Sequence, residues 1–225
     1  PHTAWRPAMS LSHHPSEALL LDYALGSLAE GWSLAVAAHL SLCPMCRQQV
    51  AEMEALGGAL RHECPPAIAG DDLWQRVAAR MDAPEGAREV AAAPPCATSI
   101  LPAPLRDYTG GDADNLAWRR LGLGAEQVVL KTRQPGTSAR LLRIAPGQRV
   151  PAHGHAGLEV TVVLSGAFSD ETGRYGRGDF QELDGEIEHQ PWVDGGEPSI
   201  CLAVTDAPLR FKSLAAKLAQ PLLGI

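Results

Sequence analysis

Two groups of side chains in this sequence have the types and spacing of metal ligands. His153 and His155 stand one residue apart and Glu159 follows four residues on, within a stretch bounded by Gly147 and Gly166. Side chains alternate faces along a strand, so the two imidazoles project to the same side. Glu159 opens the apolar run 160–164, which reads as a buried strand ending at the Ser165-Gly166 turn. His189 supplies a third imidazole from a neighbouring strand, behind the turn-and-strand opening Gly178-Asp179-Phe180. Three imidazoles and one carboxylate suit zinc, iron, manganese or nickel, and ligand types alone do not choose among them. The plainer alternative keeps the histidines as core polar residues of a barrel without a metal.

The second group is His39-x3-Cys43-x2-Cys46. On a helix, positions i and i+4 share a face and i+7 returns to it, so one imidazole and two thiolates converge. These are three of the four ligands that a tetrahedral zinc requires. Pro44 suits the first position of a new helix. His14 is the best candidate for the fourth ligand, His13 the second, and Cys64 or His62 more distant options. Two other readings compete. A thioredoxin-like Cys-Pro-Met-Cys dithiol would follow a strand, whereas a helical segment precedes this one. Incidental buried cysteines on a helix are the other.

The spacing Gly-x5-His-x-His-x3-Glu-x6-Gly over 147–166 resembles the first cupin motif without a mismatch. Gly178-Asp179-x9-His189 is similar to the second, with Asp184 where many cupins have proline. That departure touches a turn and no ligand. The resemblance implies a small jelly-roll barrel of two antiparallel sheets with a metal inside, held by His153, His155, Glu159 and His189. The His-x3-Cys-x2-Cys motif with an upstream histidine resembles the zinc-binding anti-sigma factors. With a carboxy-terminal cupin, the likeness narrows to the ChrR type. It extends over most of the chain, from His-His-x-Ser-Glu-Ala-Leu-Leu at 13–20 to the run 201–211. It implies that the amino-terminal domain binds an extracytoplasmic-function (ECF) type sigma factor and occludes its polymerase-binding surfaces. By position it implies zinc on His14, His39, Cys43 and Cys46, and zinc or another divalent transition metal in the cupin. Some relatives carry a second cysteine two residues before Cys201, where this chain has Ser199, so a disulfide between neighbouring cupin strands is not expected as its switch.

The elements that must position these groups follow from periodicity. A helix begins at Ser16 with apolar residues Ala18, Leu19, Leu21, Tyr23, Leu25 and Leu28, and a second runs from about Ser33 into His39. A third carries Val50, Met53, Leu56 and Leu60. A fourth, capped by Asp71-Asp72, has an apolar stripe at Leu73, Trp74, Val77, Ala78 and Met81. That stripe either completes a four-helix core or docks between sigma-factor domains as a helix in a groove, for which Trp and Met suit as anchors. Residues 84–104 are rich in proline and alanine and read as a semi-extended connector between independently folded units, with Cys96 an exposed linker thiol. Beyond Pro104, strand-like runs at 116–121, 126–131, 138–144, 160–164, 167–170, 179–183 and 199–204 alternate with turn signals, the spacing of an all-β barrel. Residues 211–225 are expected to pack across the barrel as a short helix or strap. The expected organisation is multidomain α plus all-β: a zinc-binding four-helix domain over 1–83 with 1–12 disordered, a linker over 84–104, and a cupin over 105–225. Met9 is a candidate start, with residues 1–8 an upstream extension.

Composition bounds the function. Nothing approaches eighteen consecutive apolar residues, so no membrane span is expected. The first ten residues hold Trp5, Arg6 and Pro7 but no signal-like apolar run. Five irregularly spaced cysteines argue against a secreted disulfide framework and for the cytoplasm. A net charge of −7 argues against direct DNA binding and is compatible with covering a basic partner. The resemblance implies a regulator and not an enzyme: an anti-sigma factor that releases its partner in oxidative stress, through singlet oxygen or peroxide sensed by the cupin. The alternative is a cupin dioxygenase or isomerase with a helical zinc-binding appendage, against which no convergent set of substrate-binding residues is visible.

Overall fold

The computed structural model describes residues 11–68, 70–82, 99–122, 124–185 and 187–211. Expectations for residues 1–10, for Cys96 and most of the connector, and for the strap over 212–225 lie outside these residues.

Four helices come first: α1 (Glu17–Ala24), α2 (Glu30–Leu42), α3 (Pro44–His62) and α4 (Leu73–Asp82). Ser16 caps α1, its hydroxyl accepting from the Leu19 amide. Its buried face is Leu19 and Leu20, while Leu21 and Leu25, expected in the apolar stripe, are exposed. Cys43 caps α3, its sulfur accepting from the Cys46 amide, with Pro44 in the first turn where no intrahelical N–H is missed. After the connector, Ile100 and Leu101 donate to the Asp112 carboxylate. Leu101 and Leu105 are buried as α5 (Ala103–Thr109) packs on α2. The alanine- and proline-rich sequence gave no helical period over this short helix.

The strands are β1 (Arg119–Gly122), β2 (Ala125–Leu130), β3 (Ser138–Ile144), β4 (His153–His155), β5 (Glu159–Ser165), β6 (Ala167–Asp170), β7 (Gly173–Gly176), β8 (Phe180–Leu183), β9 (Glu188–His189), β10 (Ser199–Thr205) and β11 (Leu209–Phe211). All pair antiparallel: a six-stranded sheet in the order β1-β2-β3-β10-β5-β8, a three-stranded sheet β11-β4-β9, and the hairpin β6-β7. The expected jelly roll is present with its second layer divided in two. Three glycines of the cupin spacing are at turns with positive φ, Gly147 at 72°, Gly166 at 68° and Gly178 at 94°. A Cβ at Gly166 would strike the Pro198 carbonyl, and one at Gly178 would strike the Leu11 side chain.

Strand alternation gives the large sheet two different faces. Ala139, Leu141, Val160, Val162, Phe180, Leu202 and Val204 point outward into a continuous core with Trp32, Leu34, Ala35 and Val36 of α2. Arg140, Leu142, Glu159, Thr161, Cys201 and Ala203 point into the barrel. The helices and the barrel therefore share one wall, where the sequence suggested independently folded units. At the contact a Cβ on Gly31 would overlap the Thr137 side chain and press on Val204. Gly31→Ala is expected to cost about 1–3 kcal/mol through overpacking, read as a lowered denaturation midpoint. An unchanged midpoint would mean the helix is free to lift from the sheet.

Residues 11–16 run along β8, the edge of the large sheet. The Ser12 and His13 amides donate to the Asp179 carboxylate at 2.8 and 3.0 Å, and the Phe180 amide donates to the His13 carbonyl at 3.1 Å. Ser16 binds Glu182 through its amide and hydroxyl, both at 3.2 Å. Of the residues 1–12 expected to be disordered, Leu11 and Ser12 are thus held. An otherwise open sheet edge is covered.

The fourth helix stands apart. Leu73, Trp74, Val77 and Met81 are 44, 70, 40 and 74% exposed. The core-completing reading of this stripe does not hold among the described residues, and the far end of α3 also leaves Leu56 and Leu60 exposed.

Candidate metal centres

The first cluster joins four chain segments. His14 lies just before α1, His39 near the end of α2, Cys43 at the junction and Cys46 in the first turn of α3. One ligand atom from each lies within 4.8 Å of the others. His14 Nδ1 is 3.3 Å from Cys46 Sγ and 3.5 Å from Cys43 Sγ. His39 Nδ1 donates to the Gly178 carbonyl at 2.7 Å, which fixes the tautomer and leaves the Nε2 lone pair facing Cys46 Sγ at 3.3 Å. Burial holds His39 neutral, drawing it down to about 4. Burial and then the neighbouring Cys43 push the Cys46 thiol up to about 12. A bound cation reverses that second effect, since a coordinating thiol is deprotonated outright. Of the other options, His13 faces Asp179 and stacks on Tyr175, while His62 and Cys64 are exposed.

The second cluster lies inside the barrel. His153 pairs with His189 across β4 and β9, and one atom from each of His153, His155, Glu159 and His189 again falls within 4.8 Å of the others. His153 Nδ1 donates to the Pro151 carbonyl at 2.8 Å and His189 Nδ1 to Asp170 at 2.8 Å. Both Nε2 atoms then carry lone pairs, yet they stand 3.1 Å apart, with His155 Nε2 3.2 Å from His189 Nε2. Lone pairs at that separation repel unless a cation sits among them, and His155 Nδ1 is buried without a hydrogen bond. The donor set fits a divalent transition metal. Burial draws His153 and His155 down to about 4 and pushes Glu159 up to about 7.

These shifts set a pH dependence. His39, His153 and His155 bind protons in the unfolded chain below about 6.5 that the fold refuses down to about 4, so acidification through that window destabilises. Glu159 acts in the opposite direction between 4.5 and about 7, but one group opposes three. Protons also compete with metal for the same atoms. The expected result is a denaturant midpoint that falls steadily from pH 6.5 to 4, while a flat profile would mean that the imidazoles are solvated.

Three supporting residues have roles that no spacing pattern revealed. Asp170 accepts from His189, from Gln181 at 2.7 Å and from Thr172 at 2.6 and 2.8 Å. Burial alone would raise its pKa, but these donors outweigh burial and hold it well below the ordinary range. Asp170→Asn should weaken cupin metal binding by roughly 10–100-fold, measured by competition with a chelating dye. Gly178 and Asp179 were read as the turn that opens the second cupin spacing, yet they also hold His39 and the segment carrying His14. Burial works against the Asp179 charge, and the amides of Gly176, Ser12 and His13 outweigh it. Cys201 is buried, with its thiol pushed up to about 12 by burial and Ser199 Oγ 3.4 Å away.

A family profile described as the ChrR cupin-like domain matches residues 108–209. The anti-sigma-E factor ChrR of Cereibacter sphaeroides is 46% identical over 219 residues, covering 96% of this chain and 100% of that protein. The crystal structure of Rhodobacter sphaeroides SigE in complex with the anti-sigma ChrR matches with a TM-score of 0.76 and 44% identity, over 88% of this chain and 100% of that one.

Proposed function

The chain belongs to the family of the anti-sigma factor ChrR, and from that premise we propose that it binds an ECF-type sigma factor, withholds it from RNA polymerase and releases it in oxidative stress. The observation that carries this reading is α4, a helix whose stripe of Leu73, Trp74, Val77 and Met81 is exposed instead of buried. A Trp–Met stripe of this kind suits a groove between domains of a partner. Along the chain the sigma-binding unit is 1–83 and the sensing unit 105–225, joined through 84–104.

His14, His39, Cys43 and Cys46 would hold zinc, which would tie the α2–α3 junction to the segment before α1 and keep the sigma-binding helices in one arrangement. His153, His155, Glu159 and His189 would hold zinc or another divalent transition metal. Such a metal supplies a Lewis-acid or ligand-binding position inside the barrel. The remaining steps belong to the chain. Gln181 bonds the Asp170 carboxylate that orients His189, Phe180 packs edge-on to His39 with ring centres 5.6 Å apart, and the Gly178 carbonyl fixes the His39 ring. Four consecutive residues thus touch the supports of both centres. A shift of β8 on sensing singlet oxygen or a peroxide loosens His39 and the His14 segment together. The setting is cytoplasmic and regulatory, with no turnover.

The test is transcription in vitro by polymerase core with an ECF-type sigma factor. The full chain should suppress the transcript, and singlet oxygen from a photosensitiser should restore it. Glu159→Gln should keep suppression and lose restoration. Suppression that never responds to oxidant would remove the sensing half, and no suppression would return the chain to the metalloenzyme reading.

A further inference from the structure

Inside the barrel lies a cavity of about 850 Å³, lined by the inward face of the large sheet and the three-stranded sheet. This is within the range of sites that hold drug-sized organic ligands. Its lining includes the exposed residues Gly122, Gly136 and Pro208, so it opens to solvent. Apolar walls come from Leu142, Ile144, Phe168, Leu209 and Phe211, and the His153–Glu159–His189 cluster stands at one side.

Two arginines are among the described residues that line this space, and Arg149 lies over the Trp192 ring, 5.3 Å from its centre. Arg140 is 9% exposed, and its guanidinium donates to neutral acceptors, Gln127 Oε1 at 3.3 Å and Ser138 Oγ at 2.8 Å. Among the described residues no carboxylate forms an ion pair with it. Glu159 acts on it electrostatically, but that carboxylate belongs to the metal cluster. A buried guanidinium without an anionic partner is unfavourable unless a further partner enters. Registry shows where that partner would sit. Arg140, Ala203, Thr161 and Gln181 form one row across adjacent strands, all lining the cavity. Ala203 is the small residue of the row, and two strand spacings, about 10 Å, separate the Arg140 and Thr161 backbones across it. That gap admits a planar carboxylate over Ala203 beside Arg140; the Thr161 hydroxyl on the far side donates to Glu159 Oε1 at 3.4 Å.

We infer that the cavity binds an organic monocarboxylate with an apolar body, its headgroup paired by Arg140 over Ala203 and its body against Leu142, Phe168 and Phe211. A guanidinium recognises a carboxylate in bidentate fashion, and the walls exclude a bare inorganic anion as the preferred occupant. This goes beyond capture of a sigma factor, because the binding belongs to the free chain.

Titration calorimetry on the full-length, metal-loaded chain tests it with decanoate, its neutral counterpart decanamide, and acetate. Decanoate should bind at least tenfold more tightly than either of the others. Arg140→Met should weaken decanoate at least tenfold and leave decanamide unchanged, while Arg140→Lys should recover part of the loss. Ala203→Leu, which fills the gap over the row, should abolish decanoate binding with the metal content unaltered. The inference is overturned if decanoate does not bind, if decanamide binds equally well, if acetate does, or if Arg140→Met leaves the decanoate affinity unchanged.

Discussion

Cys46→Ser is expected to remove zinc from the helical unit and, with it, capture of the sigma factor. Cys46 is fully buried where α2 meets α3, within 3.3 Å of both His14 Nδ1 and His39 Nε2, so serine cannot leave the arrangement intact. A hydroxyl is a poor zinc ligand, and the His14 segment loses its tie to α3. The loss of affinity should exceed the roughly 10–100-fold that follows loss of a merely supporting partner. Elemental analysis should show the helical-site metal gone and the barrel metal retained. Pull-down should recover little or no sigma factor. Full capture by a zinc-free variant would mean that the α1–α3 core needs no clamp.

Trp74→Ala should weaken sigma binding by about 2–4 kcal/mol, roughly 30- to 1000-fold, if α4 is the anchor. Trp74 is 70% exposed in the free chain, so the same change should leave stability within about 0.5 kcal/mol. The two readouts separate the alternatives. A core helix would lose stability first, whereas a docking helix loses affinity alone. Met81→Ala should act in the same direction more weakly, since Met fills gaps adaptably. Binding measured by calorimetry alongside thermal denaturation distinguishes these cases.

Much of the two centres was legible because their ligands obey short-range rules. His39, Cys43 and Cys46 fall on one helical face by spacing, and His153 and His155 on one strand face by alternation. The family resemblance selected His14 over His13, and the structure brings His14 to the sulfurs while His13 turns to Asp179. What joins the centres was not legible. Gly178 belongs to the second cupin spacing, but nothing in that spacing points to His39, and the Asp170 carboxylate behind His189 belongs to none, because each contact closes a long loop.

The division into faces was also hidden. Val160 and Thr161 are adjacent apolar-run residues in the sequence, but one supports α2 and the other lines the cavity. In α1 the buried face is Leu19–Leu20, since the helix must pack on α3, and periodicity in an eight-residue helix does not determine its rotation. The exposed stripe of α4 could be read as core from sequence because an amphipathic helix looks the same whether its partner is in the chain or outside it.

The central claim is that this chain holds a sigma factor through its metal-clamped helices. Native mass spectrometry of the full chain co-expressed with an ECF-type sigma factor tests that most directly. The account predicts a complex that carries zinc in the helical site and survives purification. A free chain, with no sigma factor bound and a redox metal turning over a small substrate in the barrel, would contradict it.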